Sequence, residues 1–276
     1  MEIIDANKVI IDFISEMKYL ENNHVLGCYF YGSYLTGLNH RNSDIDLHIV
    51  FDDYDSEHLV RGVKYKSGIK IEYFEKPISD LYLSINNGYN SINAAWLSII
   101  GTSRIIFDKT GQLNELQQYA ISKYKAPLPR LDSETAKEYV SIINNRMEKL
   151  EKCAVDNSPN FIHLYHLTIE KIRKFYHDVN GLAQVQTSKV YRVYTDEQYR
   201  ESYSGYEIPE PEFVVKYLDA ISDISSSYLE RFEKVKGLFD LAKKGIDLGE
   251  EYRILIKSRN QSTNKWLMIF AHINCQ

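Results

Sequence analysis

The spacing of apolar residues changes along the chain, and each change predicts a different kind of element. Apolar residues recur at helical spacing between positions 10 and 20, after a potential N-cap at Asp5, which predicts a first helix. Further stretches predict strands, because their apolar residues are continuous or alternate with polar ones: residues 25–31, 44–51, 69–74 and 104–107. Residues 77–103 predict two helical segments that break at 86–88. This half of the chain therefore predicts a small mixed sheet with helices.

Beyond about residue 125 the pattern is helical. Apolar residues recur every three or four positions in four segments: residues 136–154, residues 159–180, a segment that begins at 210, and residues 228–244. Mainly short loops join them, which favours an up-and-down bundle. Residues 182–208 are polar and tyrosine-rich without a clear period, as in long connections that bind ligands. We predict an α+β protein with a sheet-containing domain at 1–125 and a helical domain at 126–276.

Composition narrows the class of protein. Hydrophobic residues make up 44% and charged residues 26% of 276, which predicts an ordered chain with a buried core. The net charge of −5 argues against bulk nucleic-acid binding. Three distant cysteines, Cys28, Cys153 and Cys275, fit no disulfide framework and indicate a reducing environment. Without a basic N-terminal segment or a long apolar run, we expect a cytoplasmic protein that does not enter a membrane.

The segment from 31 to 50 contains residues that could bind an anion or a metal ion. Gly32 and Ser33 follow the first strand, where a glycine lets backbone amides approach an anion and a hydroxyl can bind a triphosphate. Asp44 and Asp46 lie two residues apart, so they project from one face about 7 Å apart along the strand and can share Mg²⁺. Glu72, on the third predicted strand, offers another carboxylate. An Asp-x-Asp pair alone is also common on strands that face solvent. The metal-site hypothesis therefore depends on the combination of Gly-Ser after a strand, Asp-x-Asp on the next strand and a carboxylate on a later one.

The stretch GSYLTGLNHRNSDIDL resembles the signature of the polymerase β-like nucleotidyltransferase superfamily, in which Gly-Ser precedes Ser-Asp-hydrophobic-Asp. The resemblance covers residues 1 to about 112. It implies that the predicted domain at 1–125 is catalytic and that the helical domain at 126–276 binds the substrate. Within that superfamily, the length and the helical second half look most like bacterial adenylyltransferases that inactivate aminoglycoside or lincosamide antibiotics. The resemblance implies that Gly32, Ser33 and Ser43 bind the nucleotide triphosphate. It also implies that Asp44 and Asp46 bind two Mg²⁺ ions.

The resemblance implies that Glu72 is the third metal-binding carboxylate and a possible catalytic base. Glu75 and Asp53 are the alternative carboxylates for these roles. We therefore expect an Mg²⁺-dependent enzyme of antibiotic resistance that transfers AMP from ATP to a hydroxyl of a small molecule, bound between the two domains. Two alternatives remain at this point: a toxin-antitoxin-type protein adenylyltransferase, and a non-catalytic nucleotide-sensing module. The sequence leaves open the acceptor, the oligomeric state and the role of residues 250–276.

Overall fold

The central sheet contains the residues predicted to bind nucleotide and metal. A computed structural model describes residues 6–40, 42–55, 57, 59–90, 95–202 and 208–246. Its strands are β1 (Val25–Tyr31), β2 (Ile45–Phe51), β3 (Val60–Lys66), β4 (Ile69–Pro77) and β5 (Arg104–Asp108). They form a five-stranded sheet in the order β3-β4-β2-β1-β5. β2 and β4 are parallel and the other neighbours antiparallel, so the sheet is mixed, as predicted.

Helices cover both faces of the sheet. The helices of the N-terminal half are α1 (Ala6–Glu16), α2 (Ser33–Thr36), α3 (Ile78–Asn90), α4 (Ala95–Gly101) and α5 (Gln112–Lys125). α1 packs on the face formed by Cys28, Phe30, Leu47 and neighbouring apolar residues. α3, α4 and α5 pack on the opposite face, around Tyr29 and Val50. Because side chains alternate along a strand, Asp46 and Glu72 lie on this second face.

The second half of the described chain is helical. It comprises α6 (Ser133–Val155), α7 (Asn160–Asn180), a 3-10 turn at Thr187–Lys189, α8 (Val190–Thr195), α9 (Glu197–Ser202), α10 (Pro211–Ser222) and α11 (Tyr228–Ala242). α6, α7, α10 and α11 pack against one another. The apolar stripe predicted for α6, from Ala136 to Ala154, is buried. The α+β fold class is therefore confirmed. None of the helices in the described part of the chain is long and apolar enough to cross a membrane.

Met1–Lys244 form one compact unit by their contacts, and Gly245–Gln276 form a second, of which only 245 and 246 are described. The division into domains at 125 and 126 stays a prediction. Asp5, the predicted N-cap, and the terminal residues 250–276 lie outside the described residues.

Several predicted boundaries were wrong. β3 was not predicted, because it lies at the edge of the sheet and its residues are largely polar or exposed. α3 continues through 86–88 to Asn90, because Gly88 is buried within the helix and a single glycine there is tolerated. The first helix, whose end is predicted near residues 21–23 from the polar run there, ends at Glu16. Residues 182–208 contain short helices rather than one long irregular loop.

Candidate functional site

Pairing of β2 with β4 brings the predicted carboxylates together. Asp46 lies opposite Glu72 in the parallel register, and Asp44 immediately precedes β2. Neighbouring residues in register project from the same face of a sheet, as do residues two apart on a strand. The sequence predicted the Asp44–Asp46 pair from local spacing, whereas the position of Glu72 beside Asp46 depends on the strand order.

The surroundings of Asp46 make its ionised form unfavourable. Burial raises its pKa to about 6, and the charges of Asp44 and Glu72 act in the same direction. The positive charges of Lys189 and Lys70 act in the opposite direction without restoring an ordinary value. The site is therefore one where additional positive charge would stabilise the carboxylates.

Two cations already contact Glu72. Lys70 donates to its Oε1 and lies 3.5 Å from Oδ2 of Asp44, while Nη2 of Arg61 lies 3.2 Å from Oε2 of Glu72. Hydrogen bonds from Lys70 and then from Arg61 lower the pKa of Glu72. Glu72 is consequently ionised at neutral pH, and Lys70 links it to Asp44.

The fit of a divalent cation rests mainly on the aspartates. Among the described residues, no group of three or more His, Cys, Asp or Glu side chains has the arrangement of a metal site. Asp44 and Asp46 fit a hard cation, since two close carboxylates, one with a raised pKa, repel each other. Glu72 could join them only if Lys70 moved, because Lys70 bonds to the Glu72 carboxylate. The three-carboxylate set stays a prediction.

Position 32 requires a glycine because of its backbone conformation and because the Asp46 carboxylate lies close to it. Its φ of 97° and ψ of −162° lie in a region that side chains other than glycine rarely adopt. A Cβ atom there would lie 3.1 Å from Oδ2 of Asp46. Ser33 follows as the first residue of α2 and is half-buried. The Gly32–Ser33 backbone therefore lies directly beside the Asp46 carboxylate.

Ser43 has a structural contact that the sequence did not predict. Its Oγ accepts a hydrogen bond from the backbone N of His40 at 2.9 Å, and its own N donates to His40 O at 2.9 Å. These two bonds close the turn that leads to Asp44. Because a hydroxyl both accepts and donates, Ser43 retains a proton that it can donate to a ligand.

The alternative carboxylates lie elsewhere. Glu75 accepts a hydrogen bond from the Tyr19 hydroxyl at 2.5 Å, on the face of the sheet opposite Asp46. Asp53 accepts one from the backbone N of Ser79 at 3.1 Å, near the start of α3. Glu72 is the candidate that the sheet places beside Asp46.

Lys189 is a site residue that the sequence analysis missed. It ends the 3-10 turn at Thr187–Lys189 and is half-buried, and its positive charge lowers the pKa of Asp46. Burial lowers the pKa of Lys189, while Asp46 opposes that effect. The only available signal was the expectation that residues 182–208 form a binding loop. Nothing in the sequence distinguishes Lys189 from other lysines.

A layer of aromatic rings underlies the carboxylates. His48, two residues after Asp46, is 1% exposed and stacks between Tyr29 and Phe74, with ring centroids 5.0 Å and 4.9 Å away. Neither of its ring nitrogens has a hydrogen-bond partner among the described residues. Burial, aided by the charge of Lys76, lowers the pKa of His48 to about 3, so the ring is neutral. The layer lies on the same face of the sheet as Asp46, because residues two apart on a strand share a face.

A cavity of about 350 Å³ lies between the end of α5 and the end of α7. Its walls include Tyr124, Lys125, Arg130 and Asn180, and no aspartate or glutamate is among its lining residues. Tyr124 and Tyr31 both pack against the apolar cluster on the second face of the sheet. Tyr31 of β1 pairs with Asp46 of β2. The charged side chains that line this cavity are thus cationic.

Comparison with known proteins agrees with the geometry. The family model described as "Nucleotidyltransferase domain" matches residues 10–91, which include Gly32, Ser33, Asp44, Asp46 and Glu72. Residues 10–91 resemble a nucleotidyltransferase domain. This match supports nucleotidyl transfer as the general reaction, and such domains typically use a nucleoside triphosphate and a divalent metal.

Similarity over the whole chain is low. A nucleotidyltransferase-like protein from Exiguobacterium sibiricum, known from a crystal structure, is 12% identical, with 87% of this chain and 75% of that chain covered and a TM-score of 0.47. No curated protein matches the sequence.

Proposed function

We propose that this protein is an Mg²⁺-dependent nucleotidyltransferase that transfers AMP from ATP to a hydroxyl of a small molecule. The observation that carries the proposal is the Asp44–Asp46 pair beside Gly32, within the segment that matches a nucleotidyltransferase domain. The raised pKa of Asp46 adds support, because it marks a site that favours positive charge.

The residues of the chain have distinct roles in the proposed reaction. Asp44 and Asp46, with Glu72 once Lys70 moves, would hold Mg²⁺, which stabilises the attacking and leaving oxygens in transfers of this kind. The Gly32 and Ser33 backbone, with the Ser33 and Ser43 hydroxyls, binds the triphosphate. The positive charge of Lys189 acts on Asp46.

The reaction balances with these groups. The acceptor oxygen forms a bond to the α-phosphorus, the bond from that phosphorus to the bridging oxygen breaks, and pyrophosphate leaves. The acceptor proton passes to a carboxylate, for which Glu72 is the candidate because its lowered pKa keeps it ionised. The products are the adenylylated molecule and pyrophosphate.

The charge of the cavity bears on the class of acceptor. Ligand sites favour the junctions between structural units, and this cavity lies where the sheet-bearing half meets the helices. Lys125 and Arg130 at its walls would repel a polycationic aminoglycoside. An acceptor that binds in this cavity would therefore be a neutral or anionic hydroxyl compound.

Nucleotide transfer can be measured with isotopically labelled nucleoside triphosphates, Mg²⁺, and separate panels of aminoglycosides, lincosamides and cell-extract proteins. We expect mass spectrometry to find a small molecule heavier by one AMP, with pyrophosphate released in equal amount. Asp46→Asn is the matched control, because it keeps the size of the side chain and removes its charge.

Each other outcome contradicts a part of the proposal. Label on a protein of the extract would support the toxin-antitoxin-type alternative, and modification of aminoglycosides would refute the assignment of acceptor class. Nucleotide binding without transfer to any acceptor in the panels would favour the nucleotide-sensing alternative.

A further inference from the structure

Lys70 lies among the carboxylates of the site because of the strand register. It precedes Glu72 by two residues on β4, so both side chains project from the same face of the sheet. Asp46 lies opposite Glu72 in the parallel pairing of β2 with β4, and Asp44, two residues before Asp46, accordingly lies beside Lys70. The fold thus places one positive charge within a group of three negative ones.

The ammonium group of Lys70 bridges two of these carboxylates. It donates a hydrogen bond to Oε1 of Glu72 and lies 3.5 Å from Oδ2 of Asp44. Only 15% of the Glu72 side chain is exposed, so its carboxylate has lost much of its hydration and depends on such partners. The Lys70 side chain is 35% exposed, and its flexible stem can turn into solvent without disturbing the core.

Arg61 contacts the other oxygen of Glu72. Its Nη2 lies 3.2 Å from Oε2 of Glu72, and its guanidinium carbon lies 5.4 Å from the centroid of the Phe74 ring. The two cations therefore bind different oxygens of one carboxylate. If Lys70 left, Arg61 would still orient Glu72, while Oε1 of Glu72 and Oδ2 of Asp44 would become free together.

The two oxygens that Lys70 bridges are of the kind that a divalent cation binds. Hard cations take carboxylate oxygens as ligands, and a divalent ion neutralises more negative charge than an ammonium in the same place. A divalent ion and an ammonium on the same oxygens would repel each other. Binding of one therefore requires the other to leave.

We propose that Lys70 is an internal counter-ion that takes the place of a divalent cation between Asp44 and Glu72 and is displaced when that cation binds. Lys70 is a positioning residue, because it acts through these two carboxylates. The consequence for catalysis rests on the proposed function: Oε1 of Glu72 becomes available as a metal ligand or as a base only after Lys70 has left.

Binding of Mn²⁺ in the absence of nucleotide tests the competition, because electron paramagnetic resonance measures the free ion directly. We expect the Kd for Mn²⁺ to fall at least about fivefold in Lys70→Met, the scale of a partly exposed ion pair. Arg61→Met is the charge-matched control, because it also removes a positive charge from Glu72 but frees no oxygen of Asp44. Its Kd should change less than about twofold.

Lys66→Met is the second control. Lys66 Nζ lies 2.8 Å from Oε2 of Glu16, away from the site carboxylates, so this variant should bind Mn²⁺ like the wild type. Equal tightening in Lys70→Met and Arg61→Met would show a general effect of charge and overturn the proposal. An unchanged Kd in Lys70→Met, or no Mn²⁺ binding in any of the proteins, would also overturn it.

The displacement itself can be measured in the wild type, where no variant has to fold. The ε-amine of Lys70 is labelled with an acylating reagent, with and without saturating Mg²⁺, and peptide mass spectrometry quantifies it against Lys236, whose side chain is 54% exposed. We expect labelling of Lys70 to rise at least about threefold with Mg²⁺, the scale set by one lost hydrogen bond to a charged group, and labelling of Lys66 to stay constant.

Failure of the displacement and failure of the proposed function give different results. Unchanged labelling of Lys70 at saturating Mg²⁺ would refute the displacement, even in a protein that transfers nucleotide. A protein that binds Mn²⁺ and exposes Lys70 with Mg²⁺, yet transfers no nucleotide, would refute the proposed function and support the displacement.

Discussion

Replacing Gly32 by alanine tests whether the backbone at the end of β1 is adapted to the carboxylate site. At φ 97° and ψ −162° an alanine costs about 1–3 kcal/mol of folding free energy, because that region is almost restricted to glycine. The new Cβ would also lie 3.1 Å from Oδ2 of Asp46, closer than ordinary contact, so the carboxylate must shift. The variant should therefore lose stability and also alter the site.

Gly37→Ala is the matched control in the same loop. Gly37 has φ 72° and ψ 11°, and a Cβ there would meet no atom within 4 Å. Its substitution should cost about 1–2 kcal/mol, the cost of a left-handed conformation, with no effect on Asp46. The two variants thus differ mainly in what they do to the carboxylate.

Thermal unfolding with and without Mg²⁺ and a non-hydrolysable ATP analogue separates the two effects. A saturating ligand at about 100 times its Kd adds about 2.7 kcal/mol to the wild type. Gly37→Ala should show the same gain from a lower starting Tm, whereas Gly32→Ala should show a much smaller gain. A Gly32→Ala variant with the full gain would refute the role assigned to this backbone, as would equal losses of gain in both variants.

Three further predictions follow from the ionisable groups. Asp46→Asn should abolish nucleotide transfer. The same variant should be more stable than the wild type at pH 8 without metal, by up to about 3 kcal/mol, because the folded state raises the pKa of Asp46 to about 6. Urea unfolding with EDTA measures this difference, and a less stable variant would contradict the prediction. Glu72→Gln should lower kcat about 10²-fold and affect nucleotide binding less. Glu75→Gln is the control, because Glu75 lies on the opposite face of the sheet, and it should retain activity. Equal rates for the two variants would exclude Glu72 as the base. His177 donates from Nδ1 to a backbone carbonyl, so its Nε2 accepts from the Tyr194 hydroxyl, and burial lowers its pKa to about 4. As the pH falls, the unfolded chain binds the proton before the folded protein does, so the stability contributed by neutral His177 is complete above pH 6.5 and about 3 kcal/mol of it is lost as the pH falls towards 4. His177→Gln should flatten that part of the curve of unfolding free energy against pH. An unchanged curve would refute the assignment.

Much of the fold and part of the site could be predicted from the sequence. The mixed sheet, its buried first strand and the apolar stripe of α6 follow from periodicities of two and about 3.6 residues, which act over one element. The same local rule puts Asp44 and Asp46 on one face. The need for glycine at position 32 could also be expected, because the chain turns there directly after a strand.

Other features depended on contacts between distant parts of the chain. β3 has an exposed, largely polar edge-strand sequence, so it becomes a strand only because β4 supplies hydrogen-bond partners. Glu72 lies beside Asp46 because β4 pairs parallel with β2, a choice that no local pattern encodes.

Residues on α7 illustrate the same limit. The sequence shows Arg173 as one more charge on a helix, whereas the structure buries it completely and bonds it to Glu170 and to Val185. Lys189 lowers the pKa of Asp46 although the two residues are more than 140 positions apart in sequence. Periodicity within the chain determined which residues share a face, and tertiary packing alone decided which faces meet, because those contacts depend on the summed fit of surfaces from distant segments.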